Sequence, residues 1–213
     1  MDKYNETFET WNKIALQYEE KFMDMNLYND TYDLICTSLP EPNSKILEIG
    51  CGPGNITKYL LSKRPDFDIF GIDIASNMIE LAKKNNPKAN FKVMDCREID
   101  QLKTKFDAIV CGFCLPYLSQ TDSVKLIFDC SNLLNKSGLI YLSFVEGNPS
   151  RSDFQTSGSG HRSYFYYHEF ENLKDILLEN KFDEIQTFKV NYKKSEHETE
   201  IHTIVIAKKK AIE

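Results

Sequence analysis

The stretch ILEIGCGPGN, residues 46–55, decides the fold. A short apolar run ends at Glu48-Ile49 and passes into Gly50, Gly52 and Gly54 at alternate positions. Glycines so spaced let a backbone turn tightly and come close to a ligand. A strand entering such a loop and leaving it as a helix is the start of a nucleotide-binding unit. Asn55 stands where it can cap that helix, and Ile56, Tyr59 and Leu60 carry its apolar face to about Arg64. Glu48 raises a question: which nucleotide tolerates a carboxylate at its entrance?

Downstream the pattern repeats. FDIFGID (67–73), NFKVMD (90–95), FDAIVCGF (106–113) and LIYLSFV (139–145) read as further buried strands. Helices are expected over 76–86, capped by Ser76, and from about Thr121 to Leu134, stopped by a left-handed Gly138. Strands alternating with helices predict an α/β fold: a doubly wound, mostly parallel sheet with helices on both faces. A helix over about 167–180 leads to FDEIQTFKVNY (182–192) and IHTIVIAKK (201–209), close enough in sequence for an antiparallel hairpin. Upstream, Phe8, Trp11, Ala15, Tyr18 and Phe22 recur along one face of a helix, and a second helix runs from Leu27 to Leu39 before Pro40. Residues 146–163, EGNPSRSDFQTSGSGHRS, are polar and glycine-serine-rich and read as one long loop. The chain reads as a single domain, 1–213: a helical cap (1–40), the glycine-loop core (41–145), a loop facing substrate (146–166) and a closing helix and hairpin (167–213).

A formal net charge of −6 argues against a broad basic face for nucleic acid or anionic lipid. No apolar run approaches the ~20 residues that span a bilayer. The first thirty residues carry charges throughout and lack a secretory signal's apolar stretch, so a cytoplasmic protein is expected. CGFC (111–114) has Cys-x-x-Cys spacing, but no second pair completes a zinc site, and no metal is expected. The motif closes a strand instead of opening a helix, which favours two reduced thiols.

Asp73, at the end of the second strand, stands where an acid accepts from ribose hydroxyls, so NAD and S-adenosylmethionine both fit the plan. Three details separate them. Asn55 occupies the place of a dinucleotide fingerprint's third glycine. Glu48 would oppose a pyrophosphate, which seeks a helix N-terminus free of anions, yet favour an ammonium and a sulfonium. Asp95 ends the third strand, where a carboxylate can accept from an adenine amino group. Glu48, Asp73 and Asp95 would share one crevice at the strands' carboxyl ends. Each acid taken singly could also be a strand-end turn residue or a local cap.

Glu48-Ile49-Gly50-Cys51-Gly52-Pro53-Gly54 resembles motif I of class I S-adenosylmethionine-dependent methyltransferases, small-molecule type. GIDIASNMIELAK resembles their second motif, VMDCREI the third, and FDAIVCGFCLPYL their fourth strand and following loop. The resemblance implies a seven-stranded sheet whose last strand is inserted antiparallel, with S-adenosylmethionine as cofactor and an N-terminal helical lid. It implies cofactor contacts from Tyr18, Glu48, Gly50, Cys51, Gly52, Gly54, Asp73, Ile74, Met78, Asp95, Cys96 and Gly112, with Ile74 packing on adenine. Tyr18 belongs equally to an aromatic stripe of the kind that usually forms core. After the fourth strand, Gly112-Phe113-Cys114-Leu115-Pro116-Tyr117 departs from the Asn/Asp-Pro-Pro-Tyr/Phe of many base- and amide-methylating relatives, which points to a small-molecule acceptor. Trp11, Phe113, Tyr117 and Arg151 are the expected substrate contacts. His161 in the long loop is the candidate base, a solvated loop histidine being its plainer reading; His197 and His202 are placed in the distal hairpin, away from the chemistry. A cofactor-binding protein without catalysis and an NAD-dependent oxidoreductase stand as the alternatives.

Overall fold

The computed structural model describes residues 2–157, 160–196 and 198–211. Its frame is a seven-stranded sheet of β1 (Lys45–Ile49), β2 (Asp68–Asp73), β3 (Asn90–Val93), β4 (Phe106–Gly112), β5 (Leu134–Val145), β8 (Phe182–Lys193) and β9 (Thr199–Lys209), in the order β3-β2-β1-β4-β5-β9-β8. The first five strands pair in parallel. β9 lies antiparallel between β5 and β8. Sheet order reverses between β1 and β4, and such a switch opens a crevice above the strands' carboxyl ends. The doubly wound sheet with an antiparallel last strand is as expected.

Burial on both faces explains why the central strands read as continuous apolar runs. In β1, Ile46 points into one layer and Leu47 into the other, and both are fully buried. One layer packs Leu47, Ile109 and Leu142 against helices α6 (Gln120–Leu133) and α7 (Phe170–Glu179). The other packs Ile46, Val110 and Tyr141 against α3 (Asn29–Ser38) and α4 (Asn55–Lys63). Helix α5 (Ser76–Asn85) follows β2 and carries Met78, Ile79 and Ala82 inward.

Five local features differ from the sequence reading. The N-terminal stripe is two helices, α1 (Lys3–Lys13) and α2 (Ala15–Phe22), broken at Ile14 (φ −97°, ψ 13°). Gly54, not Asn55, is the N-cap of α4, because φ of 81° suits glycine. Ala75, not Ser76, is the N-cap of α5; Asn12 Oδ1 of α1 accepts from the Asn77 amide at 2.9 Å and supplies the acceptor that a capping serine would have supplied. The left-handed residue after α6 is Ser137 (φ 60°), whereas Gly138 is needed for space: a Cβ there would come within 2.9 Å of the Asn135 carbonyl oxygen. The long loop holds a hairpin, β6 (Asp153–Thr156) paired with β7 (Arg162–Phe165). The glycine-serine-rich composition of the segment hid two short strands whose aromatic residues, Phe154 and Tyr164, pair across the ladder.

That hairpin docks on α1. Thr10 Oγ1 donates to the Arg162 carbonyl (2.7 Å) and the Tyr164 amide donates to Thr7 Oγ1 (2.9 Å). Together they roof the crevice, and the helical lid is part of the fold.

Candidate active site

The glycine loop is fastened before any ligand arrives. The Gly52 amide donates to one Asp73 oxygen at 2.9 Å, the Ala75 amide to the other, and the Cys51 amide to the Ile72 carbonyl. Gly50 has φ of 66°, and a Cβ there would stand 3.1 Å from Cys114 Cβ. The loop therefore presses directly against the segment that follows β4. Tyr18 lies across it, with Cε1 3.5 Å from where Gly52 would carry a Cβ.

Above the strand ends runs one crevice with two compartments. The first is lined by Gly50, Gly52, Asp73, Ile74, Met78, Met94, Asp95 and Cys96. The second is lined by Tyr28, Tyr32, Glu48, Asn55, Tyr192, Glu200 and His202, among others. Trp11, Tyr18, Gly50, Gly112, Phe113 and Tyr117 line both, so the two adjoin along these residues. Trp11 meets Tyr117 edge-on at 5.1 Å and Tyr18 at 5.6 Å, and Tyr18 meets Phe22 at 4.5 Å. This aromatic chain ties both N-terminal helices to the loop after β4. Phe113 holds a left-handed backbone (φ 55°) that a non-glycine residue rarely adopts, and its amide donates to Ser143 Oγ at 2.9 Å. The strain turns its ring toward Tyr28 and His202, at 5.2 and 4.8 Å.

The site is short of cations. Glu48 is 1% exposed, accepts from Thr57 Oγ1, and is pushed up to about 8 by burial. Asp73 is raised as well, again by burial, against the lowering effect of the amides it binds. Neither has a basic ion-pair partner among the described residues. One buried and one half-buried acidic side chain without a basic partner suit a positively charged ligand, beside which Glu48 would give up its proton, and oppose a pyrophosphate. The sequence reading placed Glu48 at the entrance of the glycine loop; the structure encloses it in β1 beside Gly71 and Val110. Asp95 has a partner already: its carboxylate caps the 3-10 turn at 96–101 and is gripped by the Arg97 guanidinium (Nε to Oδ2 2.9 Å). A second buried polar atom awaits a partner, since Trp11 Nε1 has none among the described residues.

The structure brings together most of the predicted site. Tyr18, Gly50, Gly52, Asp73, Ile74, Met78, Asp95, Cys96 and Gly112 line the first compartment, Glu48 the second, and Trp11, Phe113 and Tyr117 both. Four residues stand apart. The Cys51 side chain packs inward on Ile79, Ala82 and Phe91, and Gly54 turns the chain into α4 with its carbonyl held by Asn86. Arg151 is exposed, stacked 5.1 Å from the Tyr167 ring. His161 lies in a surface groove with Glu6, Glu9, Lys13 and Arg162, on the outer side of the roof. Sequence reasoning missed Met94 and Cys114 beside the first compartment, and Tyr28, Tyr192, Glu200 and His202 around the second. Only the insertion of β9 next to β5, which pairs His202 with Val145, brings the last two to the crevice. His197 lies outside the described residues. The six cysteines are free thiols, as the strand-end position of CGFC implied. Among the described residues no cluster could hold a metal, and no helix is long and apolar enough to cross a membrane.

Residues 46–138 match the family model described as a methyltransferase domain. A putative methyltransferase of Invertebrate iridescent virus 6 is 31% identical over 64% of this chain and 49% of its own length. The demethylmenaquinone methyltransferase of Thermotoga maritima is 28% identical over 70% of this chain and 62% of its own. The chain thus spans about half to two thirds of these relatives. Among solved structures, the magnesium protoporphyrin IX methyltransferase of Synechocystis PCC 6803 with bound S-adenosylmethionine superposes with a TM-score of 0.73, at 17% identity over 98% of each chain. By these matches the chain is similar to S-adenosylmethionine-dependent methyltransferases, in sequence over residues 46–138 and in fold over nearly all of its length.

Proposed function

We propose that this chain transfers the methyl group of S-adenosylmethionine to a small, planar acceptor held in the second compartment. The observation that carries this reading is that the two compartments adjoin along Gly50, Gly112 and Phe113. Bound S-adenosylmethionine supplies an electrophilic methyl on a sulfonium, whose carbon–sulfur bond breaks with the electron pair staying on sulfur. The chain's own work is alignment and exclusion of water. Asp73 would take the ribose hydroxyls on its free lone pairs while holding the loop. Ile74 and Met78 would pack on the adenine, with Asp95 at its amino edge. Glu48 would face the cationic end of the cofactor from the floor.

The second compartment supports a planar acceptor because its walls are mostly aromatic rings, which grip flat molecules by stacking and edge contacts. Both the demethylmenaquinone and the magnesium protoporphyrin IX enzymes bear names of small-molecule acceptors, in keeping with this reading. Calorimetric titration with S-adenosylmethionine, S-adenosylhomocysteine and NAD tests the cofactor half. The first two should bind and NAD should not. Release of S-adenosylhomocysteine over a panel of small aromatic acceptors tests the other half. Binding of S-adenosylmethionine with no turnover on any small molecule, but turnover on a protein or nucleic acid, would sink the acceptor assignment.

A further inference from the structure

His202 is all but buried at the far wall of the second compartment, with a hydrogen-bond partner on one ring nitrogen and a carboxylate facing the other. Tyr28 Oη lies 2.7 Å from Nδ1, and Glu200 Oε2 lies 3.7 Å from Nε2. A carboxylate facing Nε2 favours the tautomer with its proton there. Nδ1 is then an acceptor, and the Tyr28 hydroxyl donates to it. The phenolic oxygen keeps its own lone pairs free, and Tyr28 lines the compartment.

We propose that Tyr28, His202 and Glu200 form a proton relay that accepts the proton of a hydroxyl-bearing, phenol-like acceptor as its oxygen is methylated. The inference rests on the methyl-transfer reading and deepens it to an acceptor class. The acceptor's O–H proton passes to Tyr28 Oη, while the proton that Tyr28 held passes to His202 Nδ1. The oxygen pair freed in this way forms the new bond to carbon. His202 then carries a positive charge, and after product leaves it gives the proton to water.

The surroundings of His202 suit that charge from every side. Tyr192 on β8 stacks on the imidazole at 4.7 Å and 14°, a π-face that favours a cation, while Tyr28 meets the ring through its hydroxyl. Glu200, on β9 with His202, is held down at about 2, first by the imidazole beside it and then by Lys194, whose Nζ lies 2.7 Å from Oε1. It is therefore ionised and ready to pair with the imidazolium. Lys194, in the segment after β8, is a cation nearby, and it is bound to the far oxygen of Glu200. Phe113, just after β4, meets the ring edge-on, and Val145 of β5 pairs with His202 across the sheet. Burial raises the Tyr28 hydroxyl, so it stays a neutral donor that exchanges one proton for another. A buried histidine kept only for packing would need none of this alignment toward a cavity.

The test uses 4-nitrophenol, whose colour reports its ionisation, bound to the S-adenosylhomocysteine complex. S-adenosylhomocysteine binding is measured first, by calorimetry, for the wild type and for His202→Gln and Tyr28→Phe. Failure of the wild type at that step refutes the cofactor reading and leaves this one without a basis. With the complex formed, the bound probe should become coloured in the wild type about one to three pH units lower than in either variant, because an imidazolium partner favours the phenolate. Tyr28→Phe preserves the ring packing, so the comparison stands even if His202→Gln folds poorly. Equal colour transitions in wild type and Tyr28→Phe, or no binding of the probe to the wild-type complex, would overturn the relay.

Discussion

Glu48 gives the most quantitative test of the site. Burial pushes its carboxyl from 4.5 up to about 8, so the folded chain holds a proton there that the unfolded chain has released at neutral pH. Where the folded state binds more protons than the unfolded one, stability falls as pH rises. The loss sets in above the unfolded value near 4.5 and levels off above about 8. Between about pH 5.5 and 8.5 the linkage integral comes to about 3 kcal/mol for this one group. Glu48→Gln retains an acceptor for Thr57 but cannot ionise. Urea unfolding of both proteins across that range should show the wild type losing about 3 kcal/mol more than the variant. Saturating S-adenosylmethionine should narrow the gap at high pH, since a cation beside the ionised carboxylate offsets its burial. A difference between wild type and variant that stays within about 0.5 kcal/mol over the range would refute the argument. Glu48 would then ionise freely in the fold, and its burial would say nothing about the ligand's charge.

Asp73→Ala should weaken S-adenosylmethionine binding by about 1–3 kcal/mol and loosen the loop, because two amides lose their acceptor together with the ribose contact. Hydrogen exchange at Gly52 and Ala75 separates the two effects, and unchanged exchange with unchanged affinity would rule both out. Cys96 and Cys114, whose sulfurs lie 3.7 Å apart beside the first compartment, are both raised well above the ordinary thiol range, Cys96 chiefly by its hydrogen bond to Cys114 and Cys114 by its bond to Cys111. They should react slowly with iodoacetamide at neutral pH and more slowly still with cofactor bound; rapid labelling in the complex would contradict the lining. Gly54→Ala puts a Cβ 2.4 Å from Asn86 Nδ2 at a φ of 81° and should destabilise the fold by more than about 1 kcal/mol in urea titration. His168 is fully buried with Nε2 2.9 Å from the Leu115 carbonyl oxygen, and burial lowers its pKa from 6.5. A depressed histidine gives stability that is present above about 6.5 and lost as pH falls below it; His168→Gln should flatten that acid limb of the unfolding curve.

The sheet and its cofactor end were legible because they are local. Each strand, loop and helix from Lys45 to Gly112 is a contiguous βα unit, and strand-end acids fall into one crevice whenever neighbours pair in parallel. Helix caps were misread by one residue at Asn55 and Ser76, where side chains of capping type sit beside backbones already satisfied by other means. The hairpin of residues 153–165 was hidden by the glycine-serine-rich composition of its segment. His161 drew attention by its polar setting, but only contacts between β7 and α1 decide which side of the roof that setting faces. His202 was set aside, as part of a distal hairpin, for a different reason. Nothing in IHTIVIAKK says which neighbour its strand takes, and the register with Val145 is a long-range fact.

That long-range pairing has a consequence for the order in which the two compartments come into being. The wall around the cofactor comes from units adjacent in the chain, and such local structure forms early. The opposite wall waits for β9 to slide between β5 and β8, pairing Leu139 with Lys208. Closing a loop of that length is slow, and it cannot begin while the last strand is still being synthesised. A nascent or partly unfolded chain would then hold S-adenosylmethionine against a half-built room, open to water where the acceptor should sit. On the proposed reading, methyl transfer would wait until β9 is in place, so the room for the acceptor and the means to act on it arrive together.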